Sequence, residues 1–164
     1  MTMKRCFVLF IIILLGNSII AQTVYSDKYI PDVEGVSVFS KLNRSEVVAK
    51  FGEPISYSSR VCEDTGTDEM YNYQNCFFYF NNGELNSFGL FGNCNYVVLK
   101  GKIGEGIKIG DSLSSLSTFE YGPPRRAEWI TQDNQYYLDI GLDAYLYLSV
   151  EGDTIKGISY TSPW

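Results

Sequence analysis

The sequence predicts an α+β fold: two tandem repeats, each a short helix followed by an antiparallel meander, forming a sheet with the helices on one face. Three observations predict it. The back half repeats the front at an offset of seventy residues, so that Gly52-Glu53-Pro54 falls on Gly122-Pro123-Pro124 and Phe78-Tyr79-Phe80 on Leu148-Ser149-Val150. The turn Asn81-Asn82-Gly83 falls on Glu151-Gly152-Asp153 at the same offset. A long repeat of this kind means one supersecondary unit used twice. Each unit also opens on helix start and stop signals, and each continues with period-two alternation between Gly- and Asn-containing turns.

The first helix is read from Asn43, which caps it, and Glu46, which completes a capping box. Val47, Val48 and Phe51 form its apolar stripe, Gly52 stops it and Pro54 prevents continuation. In the second unit Asp111 is expected to cap, Leu113 and Leu116 to face inward, and Gly122 with Pro123-Pro124 to end the helix. Strands are expected at 55–62, 70–80 and 84–91 with a fourth at 95–100, and then at 125–131, 135–141, 143–150 and 154–160. The short connections make them antiparallel.

Parity assigns the faces. Ala144, Leu146, Leu148 and Val150 share one side with Gln74, Cys76, Phe78 and Phe80, and this side packs on the helices. Tyr145, Tyr147, Phe77 and Tyr79 alternate with them, and Tyr71 and Tyr73 precede them in the same phase. One helix per unit cannot cover both sides of a sheet, so this aromatic row falls on the open side. Two readings of it stand: cross-strand pairing, which suits tyrosine, and a binding surface, since exposed aromatics supply hot spots.

The ends set the compartment. Residues 1–21 read as a signal peptide, with Lys4 and Arg5 before the ten-residue apolar run Cys6–Leu15, too short to span a bilayer. Residues 22–38 then form an N-terminal extension, 39–100 the first unit and 101–164 the second, with Gly101–Gly106 as linker. Cys6 stands at the start of the apolar run, where it cannot carry a lipid, so no stable membrane anchor is expected. The chain is expected to be periplasmic or secreted.

Cleavage after Ala21 removes two of 13 basic residues and none of 19 acidic ones, which takes the formal charge from −6 to −8. Nucleic acid and anionic lipid would be repelled, and a basic protein partner attracted. Three cysteines remain, Cys62, Cys76 and Cys94. An odd count in an oxidising compartment implies one disulfide and one thiol. Cys62 and Cys76 flank the acidic turn Glu63-Asp64-Thr65-Gly66-Thr67-Asp68-Glu69 and form the favoured pair, with pairing through Cys94 as the alternative. Glu63, Asp64, Asp68 and Glu69 read as a solvated turn, a finger contacting a partner, or a calcium loop, although the spacing of a known calcium loop is missing.

Catalytic classes find little support. There is no histidine in the chain, which removes serine–histidine and cysteine–histidine catalysis. No metal set or cofactor motif occurs. Glu128 and Asp139 could form a carboxylate pair on adjacent strands, and a hydrolase would need them in a cleft.

The capped helix Asn43–Pro54 ending in Phe51-Gly52-Glu53-Pro54, the meander after it, and the second start at Ile109-Gly110-Asp111-Ser112-Leu113 together resemble the beta-lactamase-inhibitor-protein-like fold over residues 40–160. Outer-membrane assembly lipoproteins of the SmpA/OmlA type share the single unit. The resemblance implies a concave sheet that grips an enzyme through aromatic contacts and an acidic hairpin residue. It also implies a hairpin disulfide after the first helix, in line with Cys62–Cys76. Here the helices are short, Cys94 is extra, the inhibitory turn has no residue-by-residue match and the lipid-bearing cysteine is missing, so the beta-lactamase target does not carry over. The function expected is an exported, non-enzymatic module that blocks a partner enzyme or toxin, as an inhibitor or immunity protein. An envelope-assembly accessory is the alternative.

The mature chain is expected to begin at Gln22 without lipid. Intact mass of the exported protein checks this, and a mass carrying a diacyl group or residues 1–21 would contradict it.

Overall fold

The computed structural model describes residues 31–98, 106–118, 124–127, 134–141 and 144–162. Residues 1–21, read above as a signal peptide, and residues 22–30 lie outside them. Ten strands and one α-helix occur among the described residues. A small hairpin, β1 (Asp32–Val33) and β2 (Val36–Ser37), precedes helix α1 (Arg44–Phe51). Then come β3 (Ser56–Cys62), β4 (Gly66–Asn72), β5 (Cys76–Asn81) and β6 (Glu84–Phe91). A 3₁₀ turn (Leu113–Thr118) leads to β7 (Arg125–Arg126), β8 (Gln135–Gly141), β9 (Ala144–Glu151) and β10 (Thr154–Thr161). Strands β3 to β10 make one antiparallel sheet in the order β3-β4-β5-β6-β10-β9-β8-β7.

This corrects the expected class. The chain is mainly β, one eight-stranded sheet with a single short α-helix, and not an α+β pair of helix-plus-meander repeats. Helix α1 forms as its sequence dictates. The Asn43 side chain accepts from the Glu46 N–H at 3.1 Å and the Glu46 carboxylate accepts from the Asn43 N–H at 2.7 Å. Gly52 closes it at φ 85° and ψ −177°, which favours glycine. The second segment stays 3₁₀ because Leu113-Ser114-Ser115-Leu116-Ser117-Thr118 is rich in residues that hydrogen-bond locally instead of propagating a helix. The Ser115 hydroxyl donates to the Ser112 carbonyl at 2.6 Å. Asp111 does not cap; its carboxylate accepts from the Lys108 N–H at 2.9 Å. The role of a cap falls to Asp153, whose carboxylate accepts from the Ser114 N–H at 2.9 Å and from the hydroxyls of Ser112 and Ser114. Those bonds hold the Asp153 carboxyl below the usual carboxylate range. Gly122 lies outside the described residues.

The strand ladder itself recurs at an offset of seventy. Phe78 faces Phe88 as Leu148 faces Ile158, and Cys76 faces Leu90 as Leu146 faces Tyr160. Both ladders shift register one residue after the second turn-proximal pair, beyond Phe80↔Leu85 and Val150↔Ile155. The two ladders meet where β6 lies against β10, and there Gly89 faces Ser159, its own equivalent at that offset. A local two-fold axis therefore passes through that pair. Lead-in segments tie to the hairpins in matching fashion: Leu42 N–H to Gly83 at 2.8 Å, and Leu113 N–H to Asp153 at 2.7 Å.

Two strand readings fail. The stretch 70–80 is two strands, separated by a turn in which the Tyr73 N–H donates to the Cys76 carbonyl at 2.8 Å. The turn resets the parity, so Tyr71 faces Phe78 and is fully buried. Of 95–100, only Val98 pairs among the described residues, in single bridges to Val33 and Ile107.

The core lies between the sheet and the segments that cross it. Phe78, Phe80, Leu85, Phe88, Leu146, Leu148 and Ile155 supply the sheet side. Val47 and Phe51 of α1, Val33, Val36 and Val38 around the small hairpin, and Val98, Ile107 and Leu116 cover it. Phe51 stacks on Phe78 at 4.2 Å between ring centroids.

Leu148 is fully buried, so Leu148→Ala is expected to cost about 2–5 kcal/mol in denaturant unfolding. A loss below about 1 kcal/mol would put Leu148 on the wrong side of the sheet.

Candidate protein-binding face

The side of the sheet away from α1 carries the residues that alternate with the core. On β5 these are Phe77 and Tyr79; on β9, Tyr145, Tyr147 and Ser149; on β8, Gln135, Tyr137 and Asp139. The two central strands present small residues there, Ser87 and Gly89 of β6 opposite Thr161 and Ser159 of β10, with Phe91 opposite Gly157. Rows of aromatics thus flank a floor of glycine and serine. Phe77 and Tyr147 stand three strand spacings apart, roughly 14 Å.

Gly89 is required by the close approach of Phe77. A Cβ at position 89 would lie 2.3 Å from the Phe77 ring. The ring therefore leans over the central strand, an aromatic covering a strand glycine. On the other flank the Tyr145 ring meets Tyr137 edge-on at 5.4 Å and lies 6.4 Å from Tyr147. Most of these side chains are half-buried, and Phe91 is 42 % exposed.

Asp68 is a carboxylate held in place on this face. Its carboxylate accepts from the Tyr79 hydroxyl at 2.6 Å, from the Asn81 amide at 2.8 Å and from the Cys62 thiol at 3.4 Å. The Tyr79 bond and then the Asn81 bond hold the Asp68 carboxyl below the usual carboxylate range, and the Asp68 bond raises the Tyr79 hydroxyl. Glu69, one residue on, points to the helix side. It accepts from Tyr57 at 2.6 Å and Tyr71 at 3.1 Å, and the Arg44 guanidinium sits 4.2 Å from the Tyr57 ring centroid.

The expected site residues therefore divide. Phe77, Tyr79, Tyr145 and Tyr147 share the outer side. Tyr71 does not: burial, with Glu69 beside it, pushes its hydroxyl up. Nor does Tyr73, whose hydroxyl donates to the Gly52 carbonyl at 3.1 Å and is pushed up to about 12, mainly by burial. The acidic turn shrinks to Glu63 and Asp64, both exposed, because Asp68 and Glu69 belong to β4 and face opposite ways. Tyr137 and Phe91 were not among the expected site residues. The alternation of Tyr136, Leu138 and Ile140 with Gln135, Tyr137 and Asp139 carries the signal for the first. Nothing in the sequence marks the second, whose neighbour Gly157 lies in the other half. Glu128, the expected partner of Asp139, lies outside the described residues.

The Cys62–Cys76 bridge is also corrected. Cys62 faces Gly66 at one end of β4, and Cys76 follows the turn at its other end. Seven extended residues hold them roughly 20 Å apart, whereas a bridge tolerates about 7 Å between Cα atoms. Cys76 instead lies near Cys94: it faces Leu90 across β5–β6, and the Cys94 N–H donates to the carbonyl of the next residue, Phe91.

No protein-family model matches the chain, and no curated protein matches it. Among solved structures it is similar to a cysteine-rich secretory protein from Staphylococcus aureus subsp. aureus Mu50, with 12% identity and a TM-score of 0.44 over 76% of this chain and 45% of that one. It is similar to an extracellular protein containing an SCP domain from Bacillus anthracis str. Ames, with 12% identity and a TM-score of 0.43 over 76% of this chain and 44% of that one. The chain spans less than half of each. No helix among the described residues is long and apolar enough to cross a membrane.

Because Asp68 is depressed in the fold, its contribution to stability is present above the unfolded-state pKa and lost as pH falls through the folded value. Tyr79→Phe removes the largest cause, so the Asp68 titration should move up, as followed by carboxyl NMR. An unchanged midpoint would deny the hydrogen bond.

Proposed function

We propose that this chain is an exported, non-enzymatic protein-binding module that blocks a partner enzyme or toxin by seating a protruding segment of it in the aromatic trough. One observation carries the reading: Phe77, Tyr79, Tyr137, Tyr145 and Tyr147 flank a Gly and Ser floor, with Phe91 at one end of it, on the side of the sheet away from the helix. Phe77 already covers Gly89, so a partner would meet the aromatic rows and the half-buried Ser159. Aromatic walls supply buried area, and the tyrosine hydroxyls supply hydrogen bonds.

Charge adds specificity. An acidic chain with Asp68 held ionised favours a basic partner and speeds its encounter, an effect that salt weakens. The lack of histidine and the engagement of the Asp68 and Glu69 carboxylates by tyrosine hydroxyls support binding over catalysis.

The test is capture from envelope extract with the mature chain as bait, followed by titration of the purified partner. Tyr147→Ala and Phe91→Ala should each weaken binding by about 1–3 kcal/mol, mostly through faster dissociation, with the melting temperature nearly unchanged. Lys50→Ala, on the exposed side of α1, should leave binding intact. Equal affinity across all three variants would place the contact elsewhere, and unfolding of both aromatic variants would make the row structural.

A further inference from the structure

Three features compete for a role beyond partner binding: the exposed edge strand β3, the cleft beside residues 92–95, and the pair of buried thiols next to that cleft. We propose that Cys76 and Cys94 are a disulfide-forming pair that, once oxidised, staples the segment 92–98 to the sheet and leaves Cys62 as the free thiol.

The geometry brings the two together. Cys76 opens β5 opposite Leu90, and Cys94 follows the turn after β6, with its N–H donating to the Phe91 carbonyl at 3.2 Å. Both residues are buried, at 4% and 7% exposure, and the Phe91 N–H donates to the Asn75 carbonyl at 2.9 Å, which sets Cys76 and Cys94 at the same end of the β5–β6 pair. Cys62 is remote from both ends of this contact and is engaged with Asp68.

The stapled segment holds several parts of the core cover. Tyr96 packs edge-on against Phe51 at 5.6 Å, and its hydroxyl donates to the Phe51 carbonyl at 3.4 Å. The Val97 N–H donates to the Glu34 carboxylate at 2.8 Å, and Glu34 returns its own N–H to the Val97 carbonyl at 3.0 Å. Val98 bridges both Val33 and Ile107. A crosslink at Cys94 would therefore fix the strap that joins the small hairpin, the end of α1 and the second half of the chain.

The chemistry has a nucleophile and a route. Cys94 lines an open cleft of about 380 Å³ bordered by Asn93, Ile109 and Lys156. Interaction with Cys76, aided by the Tyr96 N–H, lowers the Cys94 thiol, while the same interaction and burial raise Cys76. The thiolate is the attacking species in exchange. In the cleft the Cys94 thiolate attacks one sulfur of a small-molecule disulfide; a mixed disulfide forms and one thiolate leaves. Cys76 then gives up its proton and attacks the Cys94 sulfur, and the second thiolate leaves. Two cysteine thiols are oxidised, the reagent's disulfide is reduced to two thiols, and the two cysteine protons go to the departing thiolates.

The experiment exposes the full chain to oxidised glutathione, alkylates the remaining thiols and maps the peptides without reduction. The expected result is a crosslinked pair containing Cys76 and Cys94, with Cys62 alkylated. Oxidation should raise the melting temperature by about 5–15 °C, as closing a loop of this length does in a domain of this size, and Cys62→Ser should keep that rise. A bond from Cys62 to either partner, or recovery of Cys76 and Cys94 both alkylated, overturns the proposal. Should Cys94→Ser fail to fold, the wild-type and Cys62→Ser maps still decide.

Discussion

The structure depends on the seam between β6 and β10. That pairing joins the two halves of the chain into one sheet, and its register decides what every flanking strand presents. With Gly89 opposite Ser159, Phe88 and Leu90 turn to the core beside Tyr160 and Ile158, and Phe88 stacks on Tyr160 at 5.9 Å. A slip of one residue would carry β10's whole apolar set to the outer side. The core holds the register, and the register in turn sets the glycine and serine strip between the aromatic flanks.

The two-fold relation at the seam explains why the flanks correspond, and its breaches explain why they differ. Phe77 beside Gly89 stands where Tyr147 stands beside Ser159. Outside the ladders the halves diverge. The first half ends its β4–β5 pairing at Asn72↔Phe77, whereas the second extends β8–β9 to Gly141↔Ala144. That extra length adds the Asp139↔Tyr145 pair and makes the second flank richer in tyrosine. On the core side the first half supplies α1 and the second a serine-rich 3₁₀ turn anchored by Asp153.

What was legible in the sequence is what is local. The capping box at Asn43 and Glu46, the two hairpins at Asn82-Gly83 and Gly152-Asp153, and the inward phase of Ala144, Leu146, Leu148 and Val150 all follow from spacing. The fold class was not legible, because Asp111 and Gly122 look like helix boundaries while the serines between them have poor helix propensity. Tyr71 and Tyr73 were misplaced because parity does not survive a turn, and Gln74-Asn75 is a turn without glycine or proline to announce it. Cys62 and Cys76 are close in sequence, yet an intervening extended strand drives them apart. Which strands neighbour β6 is a matter of long-range pairing, and so Phe91 over Gly157 left no local trace.

A surface meant to bind must stay soluble while empty. Here the two requirements are met by the same side chains. Tyr79 keeps its hydroxyl on Asp68, so the ring stands fixed while a charge remains at its tip. Phe77 hides part of its ring over Gly89, which limits the apolar area left to water. A partner that fills the trough would meet side chains already held in place, and pre-organisation of this kind lowers the entropy lost on association. The rigid sheet thus bears on affinity twice, once by aligning the aromatic flanks across the seam and once by restricting them before any partner arrives.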